Sequence, residues 1–213
     1  MTALVFRSPG RVLAAIAAAV VLLAAGGCSL TRPAPVKHTF LIDPPAPAAM
    51  SRVHPGSLRV GAIGVAAPFR GKAFVYRATE LNYEADFYSE FLVPPGALIG
   101  EATARGLDRT GVFGKVIPPG ALPDGDYVLD GFVATLYGDV RDPVKPMVEL
   151  TVAYYLTRNH DVGVTPVWAR EYQRRVAVAG AAPEGYARAL SAALGEIVAE
   201  LGRDLAAADL ARK

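Results

Sequence analysis

The sequence predicts an α+β fold, in which a mostly antiparallel sheet carries two helices on one face and the C-terminal helix is long. Three observations support this class. Segments with the two-residue alternation of β-strands lie on both sides of one helical segment. Three long strand patterns between residues 127 and 178 are joined by short turns, as in an antiparallel meander. Residues 183–210 repeat apolar positions at spacings of three and four, as an amphipathic helix does.

The N-terminus has the pattern of a bacterial lipoprotein signal. Arg7 and Arg11 form a positive region, and residues 12–25 are apolar and uncharged. Two glycines then lead directly to Cys28, the only cysteine, which can form no internal disulfide. We therefore predict that residues 1–27 are a signal peptide and that Cys28 carries the lipid, palmitate or a similar acyl chain.

The residue after Cys28 bears on which membrane holds this lipid. Ser29 stands where an aspartate would favour retention in the inner membrane, so we expect the periplasmic face of the outer membrane. A retained membrane-spanning anchor is the alternative, but the apolar segment is shorter than the roughly 20 residues that a spanning helix needs. A single acyl chain binds a membrane only marginally, whereas several hold a protein firmly.

The mature chain begins with a segment rich in proline and alanine. Residues 28–56 therefore indicate a linker after the lipidated cysteine, and we expect the folded domain to cover residues 57–213. Within the linker, residues 39–42 are expected to form a short strand that docks on the domain. Without residues 1–27 the chain has 20 basic and 20 acidic residues, so no broad basic surface indicates nucleic-acid binding.

The first half of the domain combines short strands with one helix. Pro94 and Pro95 favour the start of a helix, and Gly111 is expected to end it. Gly100 and Gly106 lower the helical propensity of this segment. Strand patterns, with a hairpin joining the second and third, occur at residues 58–66, 73–77, 81–87 and 112–117.

The second half has longer elements. The strand patterns cover residues 127–140, 147–157 and 167–178, and a turn is expected at Asn159-His160-Asp161. The apolar stripe of the last helix is expected to pack on the sheet rather than on a membrane, because its polar face has charges of both signs. This stripe consists of Ala187, Leu190, Leu194, Ile197, Val198, Leu201 and Leu205.

No pattern of an enzyme or a metal site is present in the sequence. His38, His54 and His160 do not occur at the spacing of metal ligands, and there is no nucleophile elbow and no phosphate-binding loop. We therefore predict no catalysis, no cofactor and no metal. Acidic residues in turns are more often solvated than catalytic. This interpretation applies to two acidic clusters, the first formed by Glu80, Glu84 and Asp86 and the second by Asp124, Asp126 and Asp130.

Aromatic residues are concentrated between residues 76 and 91. Because Phe87, Tyr88 and Phe91 are so close in sequence, one face of a strand cannot bury all three. One interpretation is an apolar cluster under a loop. The other is a protein–protein interface, where aromatic residues and arginine are enriched, formed by Tyr76, Arg77, Tyr83, Phe87, Tyr88 and Phe91.

Several of these segments follow a known order. After Cys28 come Thr39-Phe40-Leu41, Val65-Ala66-Ala67-Pro68, Val75-Tyr76-Arg77 and Leu81-x-Tyr83. In this order the chain resembles the ABC-type transport auxiliary lipoproteins, a family that includes the paraquat-inducible operon lipoprotein and accompanies mammalian-cell-entry (MCE) lipid transport systems. Family members often have a tryptophan shortly before the first helix, where this chain has Phe91.

The resemblance implies a non-enzymatic protein of the cell envelope. It would contact the MCE-family substrate-binding protein that carries lipid across the periplasm, while a separate ATPase supplies the energy. Some relatives self-associate, so a homo-oligomer is compatible with the resemblance. Two alternatives stay open, namely a lipoprotein of another envelope assembly or export system and a periplasmic module that binds a lipid or a glycan.

Overall fold

A computed structural model describes residues 36–50, 54–160, 163–180 and 183–210, so Cys28 and the predicted signal peptide lie outside the described residues. In these ranges the α-helices are α1 (Pro95–Thr110) and α2 (Pro183–Ala207), and a short 3₁₀ turn covers Ala67–Phe69. The strands of the described part are β1 (His38–Phe40), β2 (His54–Val65), β3 (Ala73–Arg77), β4 (Tyr83–Phe91), β5 (Phe113–Ile117), β6 (Tyr127–Asp139), β7 (Met147–His160) and β8 (Gly163–Ala177).

All of these strands belong to one sheet centred on β6. Along one edge β6 pairs with β7, which pairs with β8, and both pairings are antiparallel as the meander predicts. Along its other edge β6 is parallel to β2 in its first half and parallel to β3 at its end. β3 and β4 form the predicted antiparallel hairpin.

The α+β class is confirmed, but the sheet is mixed rather than wholly antiparallel. The pairings of β1 with β4 and of β2 with β5 are also parallel. β2 and β5 can pair in parallel because α1 lies between them in the sequence. α1 returns the chain across one face, so β5 runs in the same direction as β2, and parallel neighbours need a crossover of this kind.

Both helices pack on the same face of the sheet. α1 contacts β2 and β5, α2 contacts β7 and β8, and the two helices contact each other. The core between these layers includes alternate residues of β7 and the whole predicted stripe of α2. At its centre the hydroxyl groups of Thr103 on α1 and Tyr154 on β7 are 2.9 Å apart and form a buried hydrogen bond.

Gly106 in α1 and Gly111 directly after it are glycines for different structural reasons. Gly111 ends the helix in the left-handed region, with φ of 71°, as predicted. Gly106 faces α2, where a Cβ atom would lie 2.5 Å from Cγ1 of Val198. The cost of a glycine inside a helix is therefore offset by the close approach of the two helices.

Several strand ends differ from the predictions. β7 continues to His160 and pairs with β8, so Asn159 and His160 belong to a strand rather than to the predicted turn, and Asp161 lies outside the described residues. The backbone N–H of Asn159 donates to the carbonyl of Asp126 at 2.9 Å, and its side-chain amide donates to the carbonyl of Gly125 at 2.8 Å. These bonds hold the strand in place where the residue types alone favour a turn.

The proline-rich residues 41–50, here named the strap, lie on the two helices. Ile42 is only 3% exposed and belongs to the core. The ring of Pro45 contacts Gly195 of α2, where a Cβ atom would be 2.8 Å from the proline Cδ. The N–H of Met50 donates to the carbonyl of Thr110 at 2.7 Å. This part of the predicted linker is therefore packed against the domain, directly after the short strand β1.

Candidate functional site

A β-bulge in the β3–β4 hairpin shapes the aromatic segment. Val75 pairs with Ala85, but Ala73 pairs with Glu90, so β4 has extra residues between these two points. The carboxylate of Asp86 fills this gap by accepting hydrogen bonds from the backbone N–H groups of Tyr88 at 2.7 Å and Ser89 at 3.1 Å. We name residues 86–89 the aromatic bulge. Bulges of this kind redirect side chains away from the regular pleat.

The aromatic bulge presents two rings to solvent. Phe87 is 62% exposed and Tyr88 is 54% exposed, and their rings meet edge to face with centroids 5.2 Å apart. The ammonium group of Lys37 lies 5.4 Å from the centroid of Phe87 and pairs with Glu90 at 3.1 Å. The hydrogen bond from Lys37 lowers the pKa of Glu90. Charged groups thus border an exposed aromatic pair.

The other predicted interface residues are less exposed. Phe91 is buried against Phe74, with ring centroids 4.8 Å apart, and is therefore a core residue rather than part of a surface. Tyr76 is half-buried, and its ring meets that of Tyr186 on α2 at 5.4 Å. Burial, with a smaller effect of the Asp86 charge, raises the pKa of Tyr76 to about 12.

Arg77 and Tyr83 lie together near the tip of the hairpin. The guanidinium carbon of Arg77 is 5.7 Å from the Tyr83 centroid, and Arg77 pairs with Glu80 at 3.0 Å. Tyr83 is partly exposed and packs edge to face on Tyr137 at 5.4 Å. The predicted interface residues therefore form three groups. Phe91 and Tyr76 are buried or half-buried, Arg77 and Tyr83 pack against neighbours near the hairpin tip, and the two rings of the aromatic bulge are exposed.

Three exposed apolar residues near the aromatic bulge were not predicted as site residues. Leu92 and Val93 directly follow β4, and Leu41 directly follows β1. The N–H of Leu92 donates to the carbonyl of Phe40 at 2.9 Å, which places Leu92 beside the end of β1. The run of apolar residues before Pro94 is the signal in the sequence that could have indicated them.

Ion pairs hold the tip of this hairpin to the end of β6. Arg141 pairs with Glu80 of the tip and with Asp139 of β6, the latter at 2.7 Å. Asp139 is buried and also pairs with Arg175 of β8 at 3.4 Å. Hydrogen bonds from Arg141 lower the pKa of Asp139 to about 2. Glu80, one member of the first acidic cluster, is thus part of a structural ion-pair network.

The second acidic cluster supports strand β2. Asp126 accepts hydrogen bonds from the N–H of Ser57 at 2.6 Å and from its hydroxyl at 2.8 Å, and these bonds lower the pKa of Asp126. Asp130 accepts from the N–H of Ala62 at 3.1 Å, and Asp124 pairs with an arginine of β2. Each carboxylate therefore has a structural partner.

A cavity of about 450 Å³ lies between the β3–β4 hairpin, the β6–β7 connection and the start of α2. Glu84 and Asp86 line it on the hairpin side, and the rings of Tyr76 and Tyr186 form part of its wall. The hydroxyl of Tyr186 is buried and has no hydrogen-bond partner in the described part of the chain. Burial raises the pKa of this hydroxyl.

The remaining predictions concern metals and membranes. Within the described ranges no group of three or more histidine, cysteine or acidic residues could hold a metal ion. His54 bonds through Nε2 to the carbonyl of Leu205 at 2.9 Å, and His38 is exposed in β1. No helix formed by the described residues is long and apolar enough to cross a membrane.

The sequence matches no family model and no curated protein. Solved structures are similar in fold. Protein XCC0632 from Xanthomonas campestris, assigned to the family DUF330, is 17% identical over 78% of this chain and 94% of that one, with a TM-score of 0.64. An uncharacterized protein is 15% identical over 77% of this chain and 98% of that one, with a TM-score of 0.57. At these identities the likeness extends to the fold alone.

Proposed function

We propose that this chain is a non-enzymatic, lipid-anchored accessory component of an MCE-type ABC lipid transport system. It docks the periplasmic substrate-binding protein at the membrane, and the aromatic bulge is the contact. The observation that carries the proposal is the exposure of Phe87 and Tyr88 on a bulge that Asp86 stabilises. The order of sequence segments that resembles the auxiliary lipoproteins supports the choice of partner.

The aromatic bulge has the anatomy of a small protein-binding surface. Large aromatic rings contribute most of the binding energy at many interfaces, and a charged border keeps such a surface soluble when the partner is absent. Phe87 and Tyr88 supply the rings, and Lys37 and Glu90 supply the border. The hydrogen bonds of Asp86 fix the backbone, so less conformational entropy is lost when a partner binds.

The acidic clusters favour a binding role over catalysis. Glu80 forms an ion pair with Arg141, and Asp126 and Asp130 accept hydrogen bonds from β2, so these carboxylates hold structural elements together. A lipid on Cys28 would keep the domain within reach of a membrane, and protein contacts would then retain the periplasmic partner. The outer membrane is the proposed location.

A second candidate is a module that binds its own small ligand. The cavity of about 450 Å³ favours it, because ligand pockets commonly have volumes of this order. A lipoprotein of another envelope assembly would use the aromatic bulge in the same way but with a different partner. Identification of the partner therefore separates all three candidates.

Photo-crosslinking in cells tests the proposal directly. A photoreactive amino acid at position 87 or 88 is expected to form an adduct with the MCE-family protein. The matched control is position 155, because Tyr155 is similarly exposed, at 49%, but lies on β7. An adduct with a component of another export system would support that alternative. Co-purification of a lipid without any protein adduct would support the binding module.

A double variant, Phe87→Ser with Tyr88→Ser, gives the quantitative test. Loss of two exposed rings is expected to lower capture of the partner about tenfold or more. The free energy of unfolding should change by less than about 0.5 kcal/mol, because neither ring belongs to the core. Tyr155→Ser is the control for removal of an exposed ring, and unchanged capture by the double variant would contradict the proposal.

A further inference from the structure

We infer that the cavity beside the aromatic bulge binds a cationic side chain, a lysine or an arginine, that a protein partner presents. This inference rests on the proposed function, because the partner would be the substrate-binding protein that the aromatic bulge contacts. Asp86 connects the two features, since it holds the backbone of the bulge and also lines the cavity.

The charge of the cavity favours a cation. Among the described residues, Glu84 and Asp86 are the charged ones that line it, and no lysine, arginine or histidine of this part does so. Glu84 accepts a hydrogen bond from the Asn82 amide at 2.9 Å through one oxygen, and Asp86 uses one oxygen for the bulge. Neither carboxylate has an ion-pair partner among the described residues, in contrast to Glu80 and Glu90 of the same hairpin. A cationic group would supply the missing opposite charge.

The wall of the cavity suits the stem of a long side chain. Met147 and Val178 contribute aliphatic surface, and Tyr76 and Tyr186 contribute aromatic rings. Aromatic faces attract ammonium and guanidinium groups, and apolar walls pack well on the methylene groups that precede them. Tyr186 belongs to this wall, and its buried hydroxyl has no hydrogen-bond partner in the described part of the chain.

A side chain fits this chemistry better than a lipid headgroup. The ammonium group of phosphatidylethanolamine is two carbons away from a phosphate, which Glu84 and Asp86 would repel. The ammonium group of lysine ends a stem of four methylenes that carries no negative charge, and the guanidinium of arginine has a similar stem. The pair of carboxylates thus distinguishes a protein side chain from an anionic or zwitterionic lipid.

Calorimetric titration of the full chain in detergent tests the cation site without a partner. We expect n-hexylammonium chloride to bind and sodium hexanoate not to bind. The double variant Glu84→Gln with Asp86→Asn is expected to weaken n-hexylammonium binding about tenfold. It removes two negative charges that attract the ammonium group, and each attraction is modest because the carboxylates are partly exposed to solvent. Both amides keep an acceptor oxygen, so the bulge persists. Equal binding of hexanoate, or unchanged binding by the double variant, would overturn the inference.

The control variant is Glu101→Gln, which removes the same charge from an exposed position on α1, a helix that does not line the cavity. It should bind n-hexylammonium as the unaltered chain does. The titration is also repeated in micelles that contain phosphatidylethanolamine or phosphatidylcholine. Displacement of n-hexylammonium only in phosphatidylethanolamine micelles would assign the cavity to a lipid and overturn the assignment to a protein side chain.

Capture of the substrate-binding protein tests the source of the cation. A several-fold lower yield with the Glu84→Gln and Asp86→Asn variant would support a lysine or arginine of that protein. Full capture by this variant, with loss of capture by the Phe87→Ser and Tyr88→Ser variant, would overturn the inference and leave the proposed function intact. Binding of n-hexylammonium without any capture by the unaltered chain would support the cation site and overturn the proposed function.

Discussion

The strap and the aromatic bulge both contain large apolar side chains, but those of the bulge are exposed whereas a central one of the strap is buried. Ile42 of the strap is buried among core residues, whereas Phe87 and Tyr88 of the bulge face solvent. The difference lies in what each segment faces. Pro45 of the strap lies on a helix position that has no side chain, Gly195, whereas no comparable surface within the described ranges covers the bulge.

This difference shows that apolar composition alone does not identify an interaction surface. A proline-rich segment can be an internal element when glycines elsewhere in the chain leave room for it. An aromatic pair is a better candidate when the backbone itself turns it outward, as the hydrogen bonds of Asp86 do. The geometry of the backbone, rather than the amount of apolar surface, thus distinguishes an internal segment such as the strap from a candidate interaction surface such as the aromatic bulge.

The two segments also differ in the forces that attach them. The strap is attached by apolar packing and backbone hydrogen bonds, and its ion pair between Asp43 and Arg105 is exposed and therefore weak, so its attachment should vary little with pH. The hairpin that carries the bulge is fastened at its tip by the ion pairs of Glu80, Arg141 and Asp139. Acid should therefore loosen the hairpin before it releases the strap.

The largest expected effect is on the strap. Ile42→Ala is expected to lower the free energy of unfolding by about 3 kcal/mol, because it removes a buried side chain and leaves a cavity. The adjacent Leu41→Ala is the matched control, with an expected change below about 1 kcal/mol, since Leu41 is 55% exposed. Denaturant unfolding measures both values. Equal effects of the two substitutions would show that the strap is not packed as described.

The next largest effect is the response of the hairpin to acid. The pKa of Asp139 is about 2 in the folded chain and 3.8 without its partners, so its contribution is present above pH 4 and is lost as the pH falls towards 2. Asp139→Asn should therefore lower the free energy of unfolding by about 2 kcal/mol at neutral pH. The free energy of unfolding, measured as a function of pH, should therefore fall less between pH 4 and pH 2 in the variant than in the unaltered chain.

A variant that is as stable as the unaltered chain at pH 7 would contradict this assignment. Glu171→Gln, at an exposed position of β8, is the control for loss of one carboxylate. It should leave the acid dependence unchanged.

The smallest effect concerns the shape of the bulge. Asp86→Ala removes the acceptor of two backbone hydrogen bonds and should cost about 1 kcal/mol. Hydrogen exchange at the amides of Tyr88 and Ser89 should become faster. Asp86→Asn keeps an acceptor oxygen and should retain slow exchange at both amides. If Asp86→Ala leaves exchange unchanged, another group determines the conformation of the bulge.

The elements with a clear residue period could be predicted from the sequence. β3 occurs at Ala73–Arg77 as expected, and every apolar stripe residue of α2 is buried. The β-propensity of the β3 residues and the spacing of three and four in α2 are both local patterns that can be read from the sequence. The parallel pairings could not be predicted in the same way, because they depend on contacts between distant segments. β2 and β3 both pair with the same edge of β6, at different positions along it.

The candidate site was harder to predict than the fold. The sequence indicated an aromatic cluster, but it did not separate the buried Phe91 from the exposed Phe87 and Tyr88. That separation depends on a side chain, Asp86, which accepts backbone hydrogen bonds in place of a neighbouring strand. The cavity was also beyond prediction, since its wall combines β3, β4 and the first turn of α2.

The strap has a consequence for the order in which the chain can fold. The N–H of Asp43 donates to the hydroxyl of Ser191, 148 positions later in the sequence. The ribosome therefore synthesises the strap near the beginning of the domain, and it synthesises α2, on which the strap packs, near the end. Contacts between such distant residues form slowly. Until α2 has been synthesised, Ile42 and its neighbours remain uncovered, so chaperone protection during folding matters most at this end of the chain.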